Sequence, residues 1–146
     1  MTLNWAIHRL NGISSPANAA YSADELTYQL KNSGATVLFT CLSLLPVALE
    51  AASRAGIARE RIYICELPGQ GQGGVKANNE FKTLGHLVED GLSLPALEPI
   101  KWTAGQGARQ TAFLCYSSGT SGLPVRIGST KHYVKLADIG IHCRKE

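Results

Sequence analysis

The chain has 146 residues, of which 45% are hydrophobic and 17% charged, and its formal net charge is +3 at pH 7. This composition is that of a globular protein with enough residues for one hydrophobic core, and it excludes a disordered chain. Basic residues form no stripe with interleaved aromatic residues, so we expect no nucleic-acid partner.

The N-terminal segment is predicted to be helical and then extended. Trp5–Leu10 has the apolar spacing of the end of an amphipathic helix, with Gly12 as its stop. Because so few residues precede it, we expect the chain to begin inside a structural element. Ile13–Asn18 is predicted to be a short strand or extended segment.

The clearest helix signal lies in Ser22–Asn32. Ser22 is a favourable N-cap residue, and Glu25, three residues later, completes a capping box. Gly34 follows as a C-terminal stop. The sequence therefore predicts a helix with both ends specified by local residues.

Short apolar runs alternate with these helices. Val37–Cys41 and Arg61–Leu67 are predicted strands, and the alanine-rich segment Leu44–Ala55 between them is a predicted helix. This alternation is typical of an α/β fold with a mainly parallel sheet flanked by helices. We expect both strands to share one sheet with a third, Ala112–Tyr116.

A glycine- and glutamine-rich segment, Pro68–Asn79, follows the second predicted strand. Gly69, Gly71 and Gly74 have the G-x-G-x-x-G spacing of a dinucleotide-binding turn. Such a turn must open a helix, and the following VKANNE is a poor helix start. We interpret the segment as a linker, and a nicotinamide oxidoreductase stays an alternative.

The next element is a predicted short helix, Thr83–Asp90, capped by Thr83 and followed by Gly91. Three apolar side chains are expected to face inwards; they are Leu84, Leu87 and Val88. Leu92–Arg109 contains two prolines and two glycines and is predicted to be a loop that leads into the third strand.

The stretch Thr111–Pro124, TAFLCYSSGTSGLP, joins two segments of opposite character. Ala112–Tyr116 is an apolar run that suits a strand buried on both faces. The loop after it exposes backbone N–H groups through its glycines and adds uncharged donors through its hydroxyls, which suits phosphate oxygens. A turn that only reverses the chain is the alternative. The candidate phosphate-binding residues are Ser117, Ser118, Gly119, Thr120, Ser121 and Gly122.

Other patterns exclude several function classes. The four cysteines, at positions 41, 65, 115 and 143, form no C-x-x-C pair, so neither a zinc site nor a thioredoxin-like motif is indicated. The first three lie in apolar runs and are expected to be buried and reduced, which fits an intracellular protein. The four histidines share no metal-like spacing and are expected on the surface or on helix faces.

Motifs for hydrolysis, nucleotide hydrolysis and targeting are also missing from the sequence. It contains neither a G-x-S-x-G elbow nor a G-x-x-x-x-G-K-[ST] loop. It shows no secretory or peroxisomal signal, and no apolar run long enough to span a bilayer.

The motif YSSGTSGLP resembles the phosphate-binding motif of the adenylate-forming superfamily, which includes acyl-CoA synthetases, 4-coumarate–CoA ligases and luciferases. The family pattern is an aromatic residue followed by S/T-S-G-T/S-T/S-G-x-P-K-G, and the chain matches it from Tyr116 to Pro124. Val125 and Arg126 stand where the pattern has lysine and glycine. Taken with residues from about Asn4 onwards, the resemblance implies a fragment of the large N-terminal domain of an adenylate-forming enzyme.

We therefore expect two regions. Residues 1–124 are interpreted as a partial AMP-binding domain, and residues 125–146 as a non-homologous, poorly ordered tail that does not pack as a helix. The family residues that bind adenine and ribose, and its C-terminal domain with the catalytic lysine, have no counterpart in this sequence. We therefore expect the isolated chain to be inactive and only marginally folded.

The resemblance implies an ATP-dependent acid–CoA ligase. A small carboxylic acid attacks the α-phosphate of ATP-Mg²⁺, and CoA then displaces AMP from the acyl-adenylate. Thr120 and Ser121 are expected to contact the β- and γ-phosphates through their hydroxyls, and Gly119 and Gly122 to let the backbone approach. The family implies a cytoplasmic or peroxisomal location. A non-catalytic phosphate- or partner-binding module is the alternative.

Overall fold

The computed structural model describes residues 2–66, 80–117 and 125–130. The helices and strands within these residues are α1 (Thr2–Arg9), α2 (Ala23–Ser33), β1 (Leu38–Thr40), α3 (Leu45–Ala55), β2 (Ile62–Ile64), α4 (Leu84–Leu92), α5 (Gln106–Arg109), β3 (Thr111–Ser117) and β4 (Val125–Thr130). Short 3₁₀ turns, Leu42–Leu44 and Arg59–Arg61, precede α3 and β2.

The chain divides into two compact units. The βαβ unit is Asn18–Leu97, and the hairpin unit contains the described residues of Met1–Ala17 and Glu98–Glu146.

In the βαβ unit, β1 and β2 pair in parallel and α3 connects them. The register places Leu38 opposite Ile62 and Thr40 opposite Ile64. On the edge of β2 that does not pair with β1, the N–H of Ile64 donates to the Lys82 carbonyl at 3.0 Å. This contact adds a parallel bridge between Ile64 and Thr83. This unit confirms the predicted α/β class.

The core of the βαβ unit is aliphatic apart from one phenylalanine. Its buried members are Leu30, Leu45, Ala51, Ala52, Ile57, Ile62, Ile64 and Phe81. Ala51 and Ala52 are completely buried, and such small side chains let α2 and α3 pack closely. Each large aliphatic side chain removed from water here stabilises the unit by roughly 1.5–3 kcal/mol.

Both ends of α2 are fixed as the sequence predicts. Ser22 Oγ accepts from the Glu25 N–H at 3.3 Å, and a Glu25 carboxylate oxygen accepts from the Ser22 N–H at 2.9 Å. At the other end Gly34 adopts a left-handed conformation with φ of 67°. The next N–H, of Ala35, donates to the Leu30 carbonyl at 3.1 Å and closes the helix.

In the hairpin unit, β3 and β4 form an antiparallel pair. The register is interrupted between Thr111 and Phe113, because Ala112 is left over as a β-bulge residue. On the other edge of β3, Ser14 makes a parallel bridge to Phe113. The described residues thus surround β3 with a partner on each side.

Two expectations about the strands are corrected. The described strands lie in two separate two-stranded sheets, β1–β2 and β3–β4, and not in one sheet. Val125–Thr130 is a strand, which the sequence analysis did not predict. Its pattern was missed because a strand with glycine and few apolar residues depends on its partner, here β3, and not on its own composition.

Burial also differs from the prediction. Of β3, only Ala112 is buried, and Cys115 is exposed, so the strand is not buried on both faces. Val88 is 59% exposed and does not face inwards, because α4 is tied to the sheet at its start, through the bridge between Thr83 and Ile64. His8, expected on the surface or on a helix face, lies on the buried face of α1 against Phe113.

The left-handed residue after α2 supports a matched pair of glycine substitutions. Gly34→Ala should lower the free energy of unfolding by roughly 1 kcal/mol, because an L side chain disfavours this backbone conformation. Gly91→Ala should raise the free energy of unfolding by roughly 0.5–1 kcal/mol, because Gly91 lies inside α4. An added Cβ would meet no atom within 4 Å at either position, so the difference between the two variants reports backbone conformation and not a steric clash. Chemical denaturation that gave both changes the same sign would contradict this account.

The capping box predicts a pH dependence. The Ser22 backbone N–H, and secondly its hydroxyl, hold the pKa of Glu25 below its ordinary value. The capping box therefore stabilises the fold above that ordinary pKa, and this contribution is lost as pH falls through the lowered value. In thermal melts, the wild-type protein should exceed Glu25→Gln in Tm at neutral pH, and the difference should shrink on acidification. A difference that stays constant down to acid pH would show that the carboxylate has no such role.

Candidate functional site

The predicted phosphate-binding stretch begins at the carboxyl end of β3. Of its six candidate residues, Ser117 is described, and it is the exposed last residue of the strand. The other five lie outside the described residues; they are Ser118, Gly119, Thr120, Ser121 and Gly122. Their proposed contacts therefore stay predictions.

The β3–β4 register fixes where this stretch starts and ends. Ser117 is paired with Val125, and Tyr116 with Arg126. Paired residues of antiparallel strands have Cα atoms roughly 4.5–5.5 Å apart. The two residues that flank 118–124, Ser117 and Val125, are therefore held side by side at one end of a hairpin.

Ser14 and Ser15 form hydrogen bonds along the edge of β3 that does not pair with β4. The Ser14 N–H donates to the Ala112 carbonyl at 2.9 Å, and the Ser14 carbonyl accepts from the Leu114 N–H at 2.9 Å. The Ser15 hydroxyl donates to the Leu114 carbonyl at 3.1 Å. The Ser14 hydroxyl donates to Asn4 Oδ1 at 2.8 Å, which connects this edge to α1. Sequence reasoning predicted the extended segment but not its partner.

The end of α1 directs the chain towards this edge. Asn11 has a left-handed φ of 63°, and the Gly12 N–H donates to the Ile7 carbonyl at 2.8 Å. A Cβ at position 12 would lie 2.9 Å from Ile7 Cγ2 and 3.1 Å from the Ile7 carbonyl oxygen, so glycine is required there. The Gln110 side-chain amide donates to Asn11 Oδ1 and connects this turn to the start of β3.

Two further contacts position α1 within the hairpin unit. The His8 ring meets Phe113 edge to face, with ring centroids 4.7 Å apart. The Arg9 guanidinium donates to the Glu98 carbonyl at 2.7 Å. Because Phe113 belongs to β3, the strand that ends at Ser117 is fixed by α1 as well as by its two neighbours.

The groups with shifted pKa among the described residues belong to the βαβ unit. Asp90 accepts from Lys82 at 2.8 Å, and this exposed pair raises the pKa of Lys82 and lowers that of Asp90. Burial, and then the nearby Cys41, raise the pKa of the Cys65 thiol.

Across 2–66, 80–117 and 125–130, no three His, Cys, Asp or Glu side chains are grouped so that they could hold a metal ion. No described helix combines the length and the apolar character needed to cross a bilayer.

Comparison with known proteins identifies related sequences. The family profile described as "AMP-binding enzyme" matches residues 1–126. The chain is 40% identical over 133 residues to the acyl-CoA ligase cm3C of Cordyceps militaris, covering 90% of this chain and 21% of that protein. It is 34% identical over 144 residues to the acyl-CoA ligase easD of Emericella nidulans, covering 99% of this chain and 25% of that protein. The chain thus spans about a fifth to a quarter of the length of these relatives.

Solved structures show the same fold. The anthranilate CoA ligase AuaEII, in complex with anthranoyl-AMP, matches with a TM-score of 0.68 and 22% identity, over 94% of this chain and 24% of that one. A long-chain-fatty-acid-CoA ligase, FadD1, from Archaeoglobus fulgidus matches with a TM-score of 0.69 and 21% identity, over the same shares. The fold is therefore that of a part of an adenylate-forming enzyme.

The bracing of β3 predicts a graded response to substitution. Ser14→Pro removes the N–H that donates to Ala112, and should speed hydrogen exchange of the Leu114 amide about tenfold or more. Ser15→Ala removes only a side-chain hydrogen bond and should have a smaller effect. Exchange measured by NMR would contradict the bracing role if the Leu114 amide behaved alike in both variants and the wild-type protein.

Proposed function

The chain belongs to the family of AMP-binding enzymes, and we propose that it forms part of an ATP-dependent acid–CoA ligase. The family match over residues 1–126 supports the proposal, as do the relatives named acyl-CoA ligases. Because the chain spans 21–25% of those relatives, the activity is proposed for an enzyme to which this chain contributes one segment.

The observation that carries the proposal is the pairing of Ser117 with Val125. It holds Ser117 and Val125, the two residues that flank residues 118–124, side by side at the end of the β3–β4 hairpin, and binding residues are often carried on connecting segments that a rigid scaffold positions. In our proposal the hydroxyls of Ser117, Ser118, Thr120 and Ser121 contact the β- and γ-phosphates. Gly119 and Gly122 allow the backbone N–H groups to approach the same oxygens.

The proposed reaction has two steps. A carboxylate oxygen of a small acid attacks the α-phosphorus of ATP, which enters as its Mg²⁺ complex; a new P–O bond forms, and the bond to pyrophosphate breaks. The thiol of CoA then attacks the acyl carbonyl and AMP leaves with the electron pair of the broken C–O bond. Residues 117–122 act in the first step by holding the departing pyrophosphate through hydroxyl and backbone N–H donors that are already in position before the reaction.

We further propose that this segment binds nucleotide weakly and does not catalyse the reaction by itself. Val125 stands where the family motif has lysine, so one positive charge beside the phosphates is missing. The boundary at Pro124 between family sequence and a separate tail stays a prediction. A cytoplasmic or peroxisomal location is likewise proposed from the family.

Titration with ATP-Mg²⁺ tests the binding role of the motif. Thr120→Ala should weaken the Kd for ATP about tenfold, because a hydrogen bond to a charged group contributes roughly 1.5–3 kcal/mol. Thr103→Ala is the matched control, since it removes an exposed threonine hydroxyl at the start of α5 in the same unit. Its Kd should equal that of the wild-type protein.

The same samples separate the alternatives. ATP binding without pyrophosphate release, with the effect confined to Thr120→Ala, supports the proposed segment. Equal loss of ATP binding in both variants would show that the motif is not the site. Binding of NAD that is lost on Gly69→Ala, with no ATP binding, would instead favour the oxidoreductase.

A further inference from the structure

Two cysteines far apart in the sequence come together at the ends of β1 and β2. Cys41 directly follows β1, and Cys65 directly follows β2. The Cys65 N–H donates to the carbonyl of Thr40 at 2.7 Å, so the backbone pairing continues to these positions. Extending the register Thr40–Ile64 by one residue places the two cysteines opposite each other.

Facing residues of a parallel pair place their side chains on the same side of the sheet. Neighbouring strands lie about 4.8 Å apart, and disulfides join residues whose Cα atoms are roughly 4.4–6.8 Å apart. Cys41 is extended, with φ of −107° and ψ of 164°, as a continuing strand requires. The backbone therefore holds the two Cα atoms at a separation that a disulfide can bridge.

The surroundings suit a reactive pair. Both residues are only half-buried, so a small oxidant can reach them. Cys41 Sγ lies 3.2 Å from the Ser43 hydroxyl, which can donate to the sulfur once the thiolate forms. Burial raises the pKa of the Cys65 thiol, and Cys41 adds to this shift. Because the Ser43 hydroxyl can stabilise its thiolate, Cys41 is the better placed to react first.

We propose that Cys41 and Cys65 form a dithiol modification site that closes reversibly to an intramolecular disulfide on exposure to a peroxide. In the first step the Cys41 thiolate attacks a peroxide oxygen; an S–O bond forms, the O–O bond breaks, and the leaving hydroxide takes a proton to become water.

In the second step the sulfur of Cys65 attacks the Cys41 sulfenic acid. An S–S bond forms, the S–O bond breaks, and a second water leaves. Two thiols are oxidised by two electrons, and one peroxide is reduced to two waters. A thiol reductant reopens the bond.

The experiment uses the full chain with Cys115→Ser and Cys143→Ser, which leaves only the proposed pair. Hydrogen peroxide is added to the native protein and, separately, to the protein in denaturant, and remaining thiols are then alkylated. Mass spectrometry of non-reduced peptides should find Cys41 linked to Cys65 in the native sample. The yield should be several-fold higher than in denaturant, where the strands do not hold the pair together.

Matched single variants identify the order of reaction. In the same background, Cys65→Ser should accumulate a sulfenic acid at Cys41, detected by dimedone labelling, whereas Cys41→Ser should be labelled much more slowly. The proposal is overturned if native protein gives no Cys41–Cys65 link, gives mainly links between chains, or gives no more link than denatured protein. The decisive measurement needs neither Cys65→Ser nor Cys41→Ser, so a single variant that fails to fold does not remove the test.

Discussion

The hydrogen bonding of β3 on both edges is the constraint on which the hairpin unit depends. Ser14 occupies one edge through two backbone hydrogen bonds, and β4 occupies the other. A strand paired on one edge only is marginally stable and can slip in register. With both edges occupied, and with His8 packed on Phe113, the end of β3 at Ser117 has a fixed position. Any ligand-binding role of the stretch that follows depends on that fixed end.

In the βαβ unit, the comparable constraint is burial and not hydrogen bonding. β1 and β2 have three residues each, too few to be stable alone. Packing stabilises them, because Ile62 and Ile64 of β2 are buried in the same core as the small side chains of α3. Polar contacts around this core are exposed ion pairs, such as that of Arg54 with Asp24 and Glu50, and these contribute little to stability.

Both candidate sites arise at the ends of strands, for a common reason. A paired strand fixes the backbone at its end, so residues at the ends of neighbouring strands are held close to one another. Ser117 ends β3 beside Val125, and Cys41 follows β1 beside Cys65. The first pair supports the proposed nucleotide contact, and the second supports the proposed dithiol. In each case the pairing of strands brings together residues that the sequence separates.

Local chemistry was readable from the sequence because it acts within a few residues. The capping box of Ser22 and Glu25, the left-handed stop at Gly34 and the family motif that ends at Pro124 all lie within short windows. What only the tertiary structure decided are the pairings across long separations: Ser14 with Phe113, β3 with β4 in a sheet apart from β1–β2, and Cys41 with Cys65. The composition of a strand indicates that it must pair with other strands, but it does not identify those partners, because backbone hydrogen bonds are alike in every strand. Burial followed the same rule, because the exposure of Val88 and Cys115 and the burial of His8 depend on which elements pack against them.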